Sequence, residues 1–343
     1  MLRMSLSLVA SFLLVFIIGK HLIKFFKAKG LVQYIYELGP DHESKQGTPS
    51  MGGFMFIIVS VLISFLLHKG TYNLNFDFTI ILTLFCLLCS AIGFVDDYTK
   101  AKQKRNLGLT AKQKLIGQSL IAVLFSIYCY FQPNIGSKIL IPFTAIFFDL
   151  GIFYIPIMSF VIIFIVNSAN IQDGMDGLLS SVSVVGFISW AIVILSLLQM
   201  NALLNNYDLA MSYQNVAIFS IAIAGGCLGF LRYNYYPAKV FMGDTGSMFL
   251  GAASVGIAMI IKMPLLLLFV FVTPIISSLS VIIQRVYFKA TKGKRIFKMS
   301  PIHHHFEKSG YSETQVIMMY AVFTTILSVL AIFSIYGFTT SIF

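Results

Sequence analysis

The sequence is short of charge. Only 11% of its 343 residues are Asp, Glu, Lys or Arg, against roughly 25% in an ordinary soluble domain. A deficit of that size excludes a water-soluble globular fold. Acids are scarcer than bases, 13 against 24, which leaves a net charge of +11. Cysteine is limited to Cys86, Cys89, Cys129 and Cys227, all inside apolar stretches. The Cys86-x-x-Cys89 spacing suits a metal or redox pair, yet the surrounding LTLFCLLCSAIGF supplies no other ligand. A free cysteine in such a setting behaves as a small hydrophobe. Nothing along the chain reads as a soluble domain, a long linker, a low-complexity tract or an internal repeat.

What the chain has in quantity is hydrophobicity, at 58% of residues. Uncharged apolar runs of about 20 residues are long enough to cross a bilayer as helices. Ten such runs lie near 4–24, 51–68, 77–95, 116–132, 151–170, 178–199, 214–232, 246–262, 264–286 and 315–338. They are too long for barrel strands, and only helices and closed barrels satisfy the backbone in lipid. The first run is read as a retained span and not a signal peptide, because it is long and has no small-residue cleavage site after it. Pro156, Pro264 and Pro274 fall in or at the start of spans and are candidate kinks. Weak alternation in SKILIPFTAIFFDLG (137–151) predicts a small external β-hairpin. The expected fold is therefore an all-α polytopic membrane protein of about ten transmembrane helices, with residues 1–343 forming a single integral membrane domain.

The basicity follows the expected topology. If the loops alternate sides, 20 of the 24 Lys and Arg residues fall on one side and Arg3, Lys69, Lys138 and Lys262 on the other. That bias marks the basic side as cytoplasmic and puts both termini outside, and it removes the reason to invoke a nucleic-acid partner. Ten of the 13 acids also lie on the basic side, the exceptions being Asp77, Asp149 and Asp208. Acids contribute little to topology, so their clustering needs another cause.

Five motifs on that side supply one. GFVDDYTK (93–100) places Asp96 and Asp97 side by side at a helix end, followed by Lys100, Lys102, Lys104 and Arg105. Paired carboxylates beside lysines suit Mg²⁺, which prefers carboxylate and phosphate oxygens, although a solvated helix end has the same composition. NSANIQDGMDGL (167–178) carries Asn167, Asn170, Asp173 and Asp176, with Gly174 and Gly177 permitting tight turns. N-capping explains one such Asp but not two with two Asn. RYNYYPAKVFMGDTGS (232–247) sets Asp244 between glycines, with Thr245 and Ser247 as caps for the next helix and Tyr235 and Phe241 as stacking rings. KRIFKMSPIHHHFEKSG (294–310) holds His303, His304 and His305. Three consecutive residues on a regular element cannot all face one ion, so hydrogen-bonding or acid–base roles are expected before a zinc site. HESKQGTPSMGG (42–53) offers Lys45 as a phosphate cation.

Taken together, HxxKxGTPSMGG, FVDDYxK, LTAKQK, NIQDGMDG, NxxPAKVFMGDTGS and KMSPIHHHFEKSG resemble the phospho-N-acetylmuramoyl-pentapeptide-transferase family of polyprenyl-phosphate phosphosugar transferases. The resemblance covers nearly the whole chain. Ser50 stands where that family usually has Thr, Ile171-Gln172 where it has Leu-Thr, and Tyr311 where it has Trp.

The resemblance implies transfer of phospho-N-acetylmuramoyl-pentapeptide from its UDP carrier to undecaprenyl phosphate, giving lipid I and UMP at the cytoplasmic face of a bacterial inner membrane. It implies Mg²⁺ on Asp244 with Asp97, and Asp96 or Asp97 as base, or one of them as a covalent nucleophile. Lys45, Lys100 and Lys114 would neutralise phosphates, and His303 and His304 would assist catalysis. Ser50, Asn170, Asp173, Gly174, Met175, Asp176, Asn234, Phe241, Gln284, His304 and His305 would line the donor pocket, with Phe241 on the uracil.

Two other readings compete. A sister transferase for N-acetylhexosamine 1-phosphate would share the carboxylates but differ around PIHHHFE. A transporter would place its charges near the bilayer midplane, whereas here they gather at helix ends. The lipid-facing surface leaves pairing into a homodimer open.

Overall fold

The computed structural model describes residues 2–32, 47–70, 77–104, 107–144, 146–203 and 205–339. All ten apolar runs are helical where described. The helices are α1 (Leu2–Ala28), α2 (Gly53–Leu66), α3 (Phe78–Gln103), α4 (Ala111–Phe131), α5 (Tyr154–Gln172), α6 (Leu178–Leu203), α7 (Tyr207–Asn234), α8 (Gly243–Ile260), the short α9 (Leu267–Val270), α10 (Val272–Ala290), α11 (Ile302–Glu307) and α12 (Glu313–Thr339). Eight are long and apolar enough to cross a membrane. The ninth run is a pair, residues 264–270 and 272–290, bent by 88°. The tenth is α2, whose 14 residues span about 21 Å, short of a hydrocarbon core of about 30 Å.

The bend has a local cause. Pro274 lacks an N–H, and its ring excludes the carbonyl four residues back. That carbonyl belongs to Val270, where α9 stops. Pro156 sits in the first turn of α5, where a missing N–H costs nothing, and α5 runs on unbroken.

Helix α8 is the shaft of the bundle, buried from Thr245 to Ile260. Helices α3 and α5 pack along it, while α1 and α7 form a second layer. Lipid tails are as apolar as leucine, so small residues and internal hydrogen bonds drive helix contact in a membrane. Gly225 and Gly229 of α7 lie against the Leu8 and Phe12 carbonyls of α1. Gly251 of α8 meets the Val166 backbone of α5. Buried hydroxyls find backbone carbonyls across helices, as from Ser60 to Ala222 (3.0 Å) and from Ser220 to Phe187 (2.7 Å). The single tryptophan, Trp190, donates to Ser254 of α8 (3.0 Å).

The expected hairpin is present as antiparallel β1 (Lys138–Leu140) and β2 (Phe147–Asp149), with Lys138 opposite Asp149. The Leu140 amide bonds to the Lys262 carbonyl just beyond α8 (2.8 Å), which fixes the hairpin to the far end of the bundle from Asp244. All four cysteines are buried and free, as small hydrophobes would be.

Candidate active site

Helix α3 and the start of α8 come close because Gly93 of α3 presents no side chain to the α8 backbone at the crossing. A Cβ on Gly93 would collide with the Asp244 carbonyl. With the backbones that close, Asp97 reaches the first turn of α8. Its Oδ1 accepts from the Asp244 amide (3.1 Å), and its Oδ2 accepts from the Thr245 amide (2.9 Å) and hydroxyl (2.7 Å). A carboxylate here satisfies orphan amides and sits at the positive end of the helix. Gly243 adopts φ +77°, and a Cβ there would lie 2.6 Å from Asp97 Oδ2. The expected capping of α8 by Thr245 and Ser247 is thus replaced by capping from α3. Both residues lie inside the helix, and the Ser247 hydroxyl donates back to the Gly243 carbonyl (3.1 Å).

Asp96 faces the other way, into a lysine pair. Its Oδ2 contacts Lys100 Nζ (2.7 Å) and Lys114 Nζ (3.0 Å), while Oδ1 accepts from the Leu109 amide (2.7 Å). Gly108 makes room for that approach, since its Cβ would strike Asp96 Oδ1. Lys114 is held one turn into α4, behind a complete capping box of Thr110 and Gln113. The same lysines reach Asp244 Oδ2, Lys114 at 2.6 Å and Lys100 at 3.5 Å. Asp244 Oδ1 accepts from Asn170 Nδ2 (2.9 Å), which also reaches Ser247 Oγ (3.0 Å).

Asp96, Asp97 and Asp244 each offer an oxygen within 4.8 Å of the others. With all three ionised, the carboxylates exceed the two lysines by one negative charge. Hard oxygen donors with residual negative charge fit a divalent cation of the Mg²⁺ type.

Asp173 and Asp176 occupy the turn between α5 and α6. Loss of solvent around Asp173, then the Asp244, Asp97 and Asp176 carboxylates, push its carboxyl well above the ordinary range. Asp176 turns toward the α7–α8 loop and accepts from the Ala238 amide (2.9 Å). A Cβ on Gly174 would stand 2.7 Å from His303 Nε2 and 3.5 Å from His304 Nε2, so this glycine lets α11 close over the turn.

The three histidines diverge on α11. His303 is fully buried, and among the described residues neither ring nitrogen has a hydrogen-bond partner. Burial and the neighbouring His304 ring hold its pKa down to about 3. His304 Nδ1 pairs with Glu307 (2.8 Å). His305 Nδ1 accepts from the Lys298 amide (3.1 Å).

Other expected pocket residues are engaged within the fold. Asn234 accepts from Ser180 (2.8 Å) and donates to the Val240 carbonyl (3.0 Å), closing the α7–α8 loop. Gln284 binds the backbone of Ile296 and Phe297. Met175 packs in an apolar cluster with Leu178, Val316 and Tyr320. Phe241 is half-buried, and its backbone pairs with Pro49 and Gly52 (both 2.8 Å), while Ser50 bonds to Leu31 (3.0 Å). Lys45 lies outside the described residues. Sequence reasoning missed the clamp formed by Thr245, the Gly108–Leu109 approach and the Glu307 partner of His304. The only local signals were the glycines of GFVDD and NLGLT, and an acid one turn past a histidine.

A bundle of membrane helices whose carboxylates and lysines converge at one end defines a class, and the family model of glycosyl transferase family 4 matches it over residues 79–262. The relatives narrow the class. The phospho-N-acetylmuramoyl-pentapeptide-transferase of Halalkalibacterium halodurans is 40% identical over 329 residues, 96% of each chain. The Bacillus subtilis enzyme of that name is 42% identical over 95% of this chain and 96% of its own. The Listeria monocytogenes enzyme is 43% identical over 84% of each. The chain belongs to the phospho-N-acetylmuramoyl-pentapeptide-transferase family within glycosyl transferase family 4.

Proposed function

We propose that the protein transfers phospho-N-acetylmuramoyl-pentapeptide from UDP-N-acetylmuramoyl-pentapeptide to undecaprenyl phosphate, releasing UMP and leaving lipid I in the membrane. The observation that carries this reading is the near full-length likeness to enzymes of that name, in a chain whose three carboxylates and two lysines meet at one end of the bundle. If the loops alternate sides, 20 of the 24 basic residues fall on this side, which favours the cytoplasmic face of a bacterial inner membrane. A water-borne nucleotide donor and a lipid-borne acceptor both have access there.

In the reaction, an oxygen of the acceptor phosphate bonds to the phosphorus carrying the amino sugar. The bond from that phosphorus to the UMP oxygen breaks, and the electron pair leaves with UMP. Such transfers depend on positioning and on neutralising charge. The acceptor phosphate has its second pKa near 6, so at neutral pH it arrives largely as the dianion. Asp96 or Asp97 takes any proton that remains. Lys100 and Lys114, held between Asp96 and Asp244, would turn toward the incoming phosphates. Asp244, with Asp97 or Asp96, would hold Mg²⁺, which when bound polarises phosphoryl oxygens and offsets their charge. Asn170 keeps Asp244 oriented. Glu307 fixes Nδ1 of His304 and leaves Nε2 facing the Gly174 turn, where a donor phosphate would lie. Phe241 stacks on the uracil, and Lys45 adds a phosphate cation.

The test is direct. Purified protein is given undecaprenyl phosphate, Mg²⁺ and either UDP-N-acetylmuramoyl-pentapeptide or UDP-N-acetylglucosamine, and UMP release is measured. Release with the first donor alone is expected. Release with the second alone would favour the sister transferase.

A further inference from the structure

We propose that the cleft between the end of α1 and the α7–α8 loop is a binding site for the headgroup of an anionic phospholipid. The cleft holds about 910 Å³ and none of the cluster carboxylates lines it. Lys20, Lys24 and Lys27 form one wall, at spacings of four and three that put all three on one helical face. Arg232 and Lys239 face them from the end of α7 and the loop beyond it. All five cations are exposed, and among the described residues no acid lines the cleft. Five like charges around one concave space repel each other unless an anion joins them.

The cleft is also graded. One turn before Lys20, Phe16 and Ile17 are 41% and 59% exposed and continue the lining toward the membrane-spanning part of α1. A soluble anion has no use for that apolar strip, whereas a phospholipid presents a phosphate above acyl chains and matches both parts. The cleft is preformed. Tyr233 donates to the Phe16 carbonyl (2.5 Å), and its ring lies against Gly19, where any side chain would collide with it.

Gly47, Thr48, Pro49 and Ala238 line its remaining side. Those segments continue into the candidate active site, because the Pro49 carbonyl accepts from Phe241 and the Ala238 amide donates to Asp176. A bound headgroup therefore braces the back of the two loops that carry Phe241 and Asp176.

The experiment compares retention of phosphatidylglycerol and phosphatidylcholine by native mass spectrometry, for the full chain released from nanodiscs. The cleft variant is Lys20→Gln/Lys24→Gln/Arg232→Gln, and the control variant is Lys102→Gln/Lys104→Gln/Lys112→Gln, which neutralises three exposed lysines at the same end of the bundle. Melting curves matching wild type verify that both fold. The wild-type protein should prefer phosphatidylglycerol at least tenfold. The cleft variant should lose on the order of a hundredfold, about fivefold per cation, while the control stays within about threefold of wild type. Phosphatidylglycerol should also slow amide exchange across residues 47–53 and 238–243 in wild type but not in the cleft variant. Equal losses in the two variants would reduce the effect to general surface charge and overturn the site. So would equal retention of the two lipids, or displacement of phosphatidylglycerol by millimolar inorganic phosphate. None of these readouts uses UMP release, so an inactive protein that retains the lipid counts against the proposed reaction and not against this site.

Discussion

At the scale of residues, the three clustered carboxylates have different work. Asp97 spends both oxygens on the first turn of α8, whereas Asp244 holds lysines and an asparagine at the open side. Asp97→Asn puts an NH₂ where an amide and a hydroxyl already donate. It should cost about 1–3 kcal/mol of stability, the range for leaving a buried donor unsatisfied, and lower turnover as well. Asp244→Asn should cut kcat by about a thousandfold with a melting temperature near wild type. A wild-type melting curve for Asp97→Asn would remove its capping role. His303 provides a second test through pH. Its imidazole titrates near 6.5 when unfolded and near 3 in the fold, so between those values the unfolded chain binds the extra proton. Stability is then fully present above pH 6.5 and falls as pH drops toward 3, by up to about 1.4 kcal/mol per unit. Melting in detergent from pH 8 to pH 4 should decline less steeply for His303→Asn than for wild type, and parallel curves would contradict the assignment.

At the scale of elements, glycines decide where helices cross. Gly93→Ala should push α3 off the start of α8 and disturb Asp97 and Asp244 together, since the obstacle is backbone that cannot swing away. A fall in turnover of more than tenfold with a lower melting temperature is expected. Gly117→Ala is the contrast, because its Cβ would meet only the flexible tip of Ile92 at 3.0 Å, and it should stay within about twofold. Equal effects from both would mean that the crossing is tolerant. The elements themselves were readable in advance because an apolar run of membrane length has few alternatives to a helix. The bend before α10 was readable at Pro274, but the intact α5 at Pro156 required knowing that the proline falls in a first turn. The site residues stood out because acids are rare here and had no topological reason to cluster. Their partners did not stand out. The bond from Asp97 to Thr245 joins residues 148 positions apart, and no local pattern encodes which acid caps which helix. For the same reason, no local pattern showed that the amides of Asn234 and Gln284, which the resemblance puts in the donor pocket, tie loops.

At the scale of the whole molecule, the expected membrane orientation and the placement of the chemistry stand or fall together. The site end gathers Asp96, Asp97, Asp173 and Asp244 with most of the lysines and arginines, and the hairpin end has Lys138 and Lys262. If the positive-inside bias holds, a nucleotide donor made in the cytoplasm reaches the carboxylates without crossing the bilayer. Reversal would leave the cluster facing a compartment that lacks the donor. The native cysteines are all buried, so single introduced cysteines can be read against a silent background. Lys294 and Lys138 are both exposed and lie at opposite ends. In intact cells a membrane-impermeant maleimide should label Lys138→Cys, and should label Lys294→Cys at least tenfold less. After permeabilisation the two should label alike. Labelling of Lys294→Cys in intact cells would invert the protein and, with it, rule out a cytoplasmic UDP-linked donor.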